Sequence, residues 1–135
     1  MKSKIVTTAT ILGMIAIILG AFGAHALKKF LAVEQLATFE TGVRYQMYHA
    51  LFLLFIGLYD ELTEAVKKTI YYFVLIGVIL FSGSIYLLAT NDLTAFDFKR
   101  IGFITPIGGL LLIMAWGVLL VTLLNKNHKI RRIKD

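Results

Sequence analysis

The chain has 135 residues, of which 59% are hydrophobic and 16% charged, and its mean hydropathy is +0.81. A water-soluble domain of this length has too little interior to hide so much apolar surface, so a bilayer is the better solvent for it. The formal charge of +6 does not point to nucleic acid: five of the fourteen basic residues fall in the last ten positions, beside an apolar segment, where they suit a cytoplasmic face and anionic lipid. The length allows one domain over residues 1–135, and the single proline and lack of Ser/Gly tracts leave no linker.

Crossing a bilayer core takes about twenty apolar residues in a helix. The first candidate span, residues 5–27, carries no charge and follows Lys2 and Lys4. The second, residues 43–59, is fully apolar from Ala50 to Tyr59 but has Arg44, Gln46 and His49 in its first turns. The third and fourth, residues 69–89 and 101–124, are uncharged. A cleaved signal peptide would also begin with lysines and contain a triplet such as Ala24-His25-Ala26. The first apolar stretch, however, is longer than an h-region and dense in small residues, which fits a retained helix. The expected fold class is an all-α integral membrane bundle of four transmembrane helices.

Between the first two spans, residues 28–42 are too polar to cross. Partial helical spacing of Leu27, Phe30, Leu31, Leu36 and Ala37 suggests a short interfacial helix, with a solvated loop as the alternative. The short charged connection 60–68 makes spans two and three antiparallel neighbours, and Asn91-Asp92 marks a turn in the connection 90–100. Four spans put both termini on one side, with nine Lys/Arg there (Lys2, Lys4, Lys67, Lys68, Lys126, Lys129, Arg131, Arg132, Lys134) against five opposite (Lys28, Lys29, Arg44, Lys99, Arg100). By the positive-inside rule both termini and the basic tail 125–135 are cytoplasmic, in a cell (inner) membrane.

Counting residues from the span ends places His25, then Tyr45, Gln46 and His49, then Ser82, Ser84 and Tyr86, then Thr105 in one non-cytoplasmic layer. The opposite leaflet is nearly all apolar. Polar groups in hydrocarbon are costly unless they pair, so these side chains are expected to turn inward and bond across helices. Small residues would let the backbones approach: Ala16, Gly20 and Ala24 at four-residue spacing, Gly77 and Gly83 in the third span, and Gly108 and Gly109 after Pro106 in the fourth. Pro106 is harmless in a first helical turn and a kink anywhere deeper.

The two histidines are read first as packing and hydrogen-bonding residues. Two histidines at one depth would also suit haem or another metal, but no third ligand accompanies them. Tyr45, Gln46, His49 and Tyr86 could cradle a quinone or lipid headgroup, with Trp116 too deep on the other side to join them. Nucleophilic catalysis lacks an intramembrane carboxylate, and the absence of cysteine removes disulfides, thiolate metal sites and thiol chemistry.

The segments Gly20-Ala21-Phe22-Gly23-Ala24-His25-Ala26-Leu27, Tyr45-Gln46-x-x-His49-Ala50, Leu80-Phe81-Ser82-Gly83-Ser84-x-Tyr86 and Ile104-Thr105-Pro106-x-Gly108-Gly109, with Trp116 following, occur in that order. In these motifs the chain resembles the bacterial domain-of-unknown-function family of small membrane proteins typified by YwdK and YgdD, which has a mitochondrial relative in animals. The resemblance covers nearly the whole chain and implies a multi-pass inner-membrane protein, without implying an activity.

The expected function is a non-enzymatic membrane protein binding a lipid, quinone or partner helix in the polar layer. No catalytic residue, metal site or resident cofactor is expected, and the partners are the bilayer and a membrane protein or second copy, with no nucleic acid. A small oligomeric proton-coupled transporter or channel is the rival. It would need a polar route through the apolar half. An enzyme acting on a membrane substrate, through Glu40, Arg44 or Asp92 near the interface, is the third reading.

Overall fold

The computed structural model describes residues 1–134, with side chains through residue 126, and those residues form helices and turns without a strand. Three stretches are long and apolar enough to cross a membrane: Lys2–Lys29, Glu64–Ala89 and Phe98–Lys126. Their apolar residues point outward as well as inward. Ile17 is 65% exposed and Ile113 69% exposed, an arrangement that water would penalise and hydrocarbon accommodates.

α1 (Lys2–His25) ends in a single 3-10 turn, Leu27–Lys29. α2 (Val33–Leu58) begins after an extended Ala32, whose N–H donates to the Gln35 side-chain oxygen at 3.0 Å. The Gln35 amide in turn donates to Asp92 in the distant connection at 2.5 Å. Residues 33–42 are therefore the first turns of α2, which corrects the expected start at residue 43 and removes the separate interfacial helix. The polar residues Glu34, Thr38 and Glu40 stay exposed while Phe39 and Gly42 bury, so one helix satisfies both sets. At 26 residues α2 is long, yet its polar first half keeps it outside the three strongly apolar stretches.

α3 (Glu64–Val78) is capped by the Thr63 hydroxyl, which accepts the Val66 N–H at 3.4 Å. It continues through a π turn, Ile79–Gly83, into α4 (Ser84–Ala89). Two short 3-10 turns, Asn91–Leu93 and Phe98–Ile101, lead to α5 (Ile104–Lys134). Pro106 falls in the first turn of α5, where its missing N–H costs no intrahelical bond. Of the predicted tail 125–135, the side chains beyond Lys126 lie outside the described residues.

α1 and α2 run antiparallel along a seam of small residues. Gly13 faces Ala50, Gly20 faces Val43, and Gly23 faces the Phe39 ring. With buried Ala9, Ala16 and Leu27, the seam alternates four- and three-residue steps, the repeat that keeps one stripe of a helix against a partner it winds gently around. Ala24, expected on a strict four-residue stripe, is exposed instead, because four-residue steps drift around the helix.

α5 packs antiparallel on α3 and the π turn, where glycines permit backbone contact. A methyl group on Gly108 would lie 2.4 Å from the Phe81 backbone nitrogen, and one on Gly77 would lie 2.6 Å from Leu112 Cδ2. Gly83, expected to share this role, has nothing within 4 Å of such a methyl group, while Gly109 makes ordinary contact with the Phe81 ring at 3.5 Å.

Ile5, Ala9, Leu53, Ile56, Ile70, Val74, Leu112 and Ala115 form the main core, and a smaller cluster of Leu27, Leu31, Phe39 and Ala89 lies at the other end. Beyond the main core is a belt of ion pairs. Lys2 meets Asp60 at 2.9 Å, the terminal amine meets Glu64 at 3.6 Å, and Lys126 meets Glu61. Lys67, only 2% exposed, reaches Asp60 at 3.8 Å and the Gly57 carbonyl at 3.4 Å. The chain start, the α2–α3 connection and Lys126 are thus gathered at one end.

Candidate functional site

The polar residues expected in one layer separate into three groups. The first spans three elements: the Gln46 amide donates to the Leu12 carbonyl of α1 at 2.9 Å, and the Tyr86 hydroxyl of α4 donates to Gln46 Oε1 at 2.8 Å. Gln46 is buried at 4% exposure, and this single amide joins α1, α2 and α4. The Tyr86 ring lies across Gly42 and against Phe39, with ring centroids 5.0 Å apart.

The second group fastens the start of α5 to the π turn. Ser84 Oγ is 3.0 Å from the Phe81 carbonyl and within bonding distance of the Leu80 carbonyl, while Thr105 Oγ1 lies 2.6 Å away. A hydroxyl has one hydrogen, so Ser84 donates to a carbonyl and accepts from Thr105. The widened turn disturbs the regular backbone ladder, and Ser84 answers with a side-chain bond. Ser82, completely buried two residues earlier, has a hydroxyl with no partner.

The third group is His49 and its cavity. His49 Nδ1 lies 2.8 Å from the Tyr45 carbonyl of the preceding turn. A carbonyl only accepts, so Nδ1 carries the hydrogen, and Nε2 is left as an acceptor. That Nε2 is buried and has no partner. His49 forms part of the wall of a cavity of about 340 Å³ between α2, the π turn and α5, together with Tyr45, Phe81, Gly109, Leu112, Ile113 and Trp116. Tyr45, Ile113 and Trp116 are more than 40% exposed, so the cavity opens sideways on the outer surface of the helices.

Two expectations are corrected here. His25 is exposed at the end of α1 and enters none of the three groups. In the α1/α2 register it lies opposite the neighbourhood of Thr38, about eleven residues, or about 16 Å of helix, from the level of His49. The cause is the early start of α2: His49 lies about sixteen residues into the helix rather than six, level with the middle of α1. So separated, His25 and His49 do not converge on one point. Trp116, in turn, is at the cavity and not beyond its reach, stacked on Phe52 at a centroid distance of 4.1 Å.

Sequence reasoning also missed Phe81, Leu112 and Ile113 as cavity residues. Their apolar character is ordinary for a membrane helix, and only the approach of α5 to the π turn sets them around His49. The motif Leu80-Phe81-Ser82-Gly83-Ser84 was the available signal.

Long apolar helices, a lipid-suited outer surface and internally bonded polar side chains define a multi-pass helical membrane protein. The family described as protein of unknown function (DUF423) matches residues 19–109, from the Gly20 motif through Gly109. A UPF0382 membrane protein of Staphylococcus saprophyticus is 40% identical over 108 residues, 80% of this chain and 86% of that one. The UPF0382 inner membrane protein YgdD of Escherichia coli K12 is 35% identical over 124 residues, 90% of this chain and 89% of its own. No solved structure matches. The chain belongs to this DUF423/UPF0382 family of membrane proteins.

Proposed function

We propose that the protein crosses the inner membrane four times, both termini cytoplasmic, and binds a lipid-soluble molecule in the lateral cavity beside His49 without transforming it. The fourth crossing is α2. Two of the polar residues that lower its hydropathy, Gln46 and His49, are buried, and Arg44 bends one turn back to Thr41 at 3.2 Å, as a snorkelling side chain does. The clustering of Met1, Lys2, Asp60, Glu61 and Lys126 at one end supports an even number of crossings, and the excess of Lys/Arg on that side supports its cytoplasmic placement.

One observation carries the binding reading: a buried imidazole nitrogen without a partner, on a residue lining an apolar cavity that opens to lipid. Unpaired buried polar atoms are costly, and a ligand reached from the bilayer would complete the bonding. The cavity falls within the size range of small-molecule sites, and its aromatic walls with one polar contact match their usual composition.

Native mass spectrometry of protein extracted gently from its own membrane tests this. Wild type should carry a lipid-soluble molecule that is lost in His49→Ala and retained in His25→Ala. Equal occupancy in all three, or an empty wild type, would refute binding at His49, and a co-purifying protein in place of a small molecule would redirect the reading to a partner helix.

A further inference from the structure

We infer that the cavity selects its occupant as a hydrogen-bond donor, taking the reduced, hydroquinone form of a membrane quinone in preference to the oxidised form. This rests on the binding reading above and names the ligand class. The polarity of the site is set by the Tyr45 carbonyl, which holds the imidazole hydrogen on Nδ1 and leaves Nε2 with only a lone pair. A quinone carbonyl would bring one acceptor against another, whereas a hydroquinone hydroxyl donates. An imidazolium would reverse this preference, but it would be a charge near mid-bilayer, and no ion pair to His49 exists among the described residues.

Depth and shape narrow the class further. His49 is level with the middle of α1, below the interface where phospholipid headgroups and glycerol oxygens reside, so the donor must itself dissolve in hydrocarbon. The rings of Tyr45, Phe81 and Trp116 offer faces and edges to a flat aromatic head. Nε2 is closed to water, so a ring entering from the cavity shifts one of these side chains to reach it. Trp116, half exposed and stacked on Phe52, stands at the opening.

Trp116 is the only tryptophan in the chain, so its emission reports on the cavity directly. Full-length protein in lipid nanodiscs would be titrated anaerobically with decylubiquinol and, separately, decylubiquinone, reading Trp116 emission and bound mass together. The reduced form should bind about tenfold more tightly, the scale of one net hydrogen bond and one avoided acceptor–acceptor contact. His49→Gln, which offers both donor and acceptor, should bring the two forms to near equality. Ile113→Phe, which narrows the opening from α5 and adds no second tryptophan, should weaken binding of both forms alike. Equal binding of the two forms to wild type, or preference for the oxidised form, overturns the selectivity while leaving the cavity reading in place. Failure of both forms to bind overturns the quinone class altogether.

Discussion

The Tyr86 hydroxyl of α4 donates to Gln46 Oε1 of α2, and the same Gln46 amide donates to the Leu12 carbonyl of α1, so one buried side chain couples three helical elements. In hydrocarbon there is no water to replace either bond, and both ends of the amide depend on protein partners. Tyr86→Phe should therefore lower stability by about 1 kcal/mol, leaving Gln46 Oε1 unpaired, and Gln46→Ala should cost more, about 2–3 kcal/mol, through an unpaired Tyr86 hydroxyl and a void beside α1. Reversible unfolding in mixed detergent micelles, followed by helical ellipticity, checks both. A double mutant no worse than Gln46→Ala is expected, because the two residues share one bond.

The contact between α5 and the π turn gives a second prediction. Gly108→Ala forces a methyl group into the Phe81 backbone, which cannot rotate away, and should destabilise the protein by about 3 kcal/mol or more. Gly83→Ala and Gly117→Ala place the same methyl group in open space and should be neutral or slightly stabilising, through helix propensity. Comparing Tm values of the three variants separates backbone packing from a general intolerance of glycine replacement.

The ionic belt should make stability fall in acid. A hydrogen bond from Lys2 holds the Asp60 carboxyl below its usual range, and one from Lys126 does the same for Glu61. Groups whose folded pKa is depressed contribute stability that is complete above the unfolded range, near pH 4, and is lost as pH falls through the folded values. The wild-type Tm should thus decline between about pH 5 and pH 3, and the Asp60→Asn/Glu61→Gln variant should show a flatter profile over that window. Both carboxylates are exposed, so the effect should shrink at high salt.

Parts of the site were readable from the chain alone because their cause is local. Gln46, Ser84, Tyr86 and Thr105 stood out as polar residues in apolar surroundings, and hydrocarbon requires such groups to find each other. The histidines were not readable in the same way. Whether His25 and His49 share a level depends on where α2 begins, and the polar run Val33–Gly42 looks like a connection until Gln35 is seen to close its first turn. Trp116 was misplaced for a related reason. Counted along α5 it is far from Thr105, yet the cavity extends along that helix from Gly109 to Trp116.

The sequence by itself determined an all-helical chain in a bilayer, because apolar stretches without internal charge can satisfy their backbone only as helices in hydrocarbon. It also determined family membership and singled out Gln46, His49, Ser82 and Ser84, but it counted the exposed His25 and Tyr45 with them and left out the buried Lys67. Only the tertiary structure decided which of those groups are paired. The register of α1 against α2, set by small residues at alternating steps, exposed His25 and carried His49 level with the middle of α1. The approach of Gly108 to the π turn then placed α5 beside it. Registers and close approaches arise from the fit of whole helix surfaces, which no single span encodes, and here that fit leaves one imidazole nitrogen unpaired on a residue that lines a cavity on the outer surface of the helices.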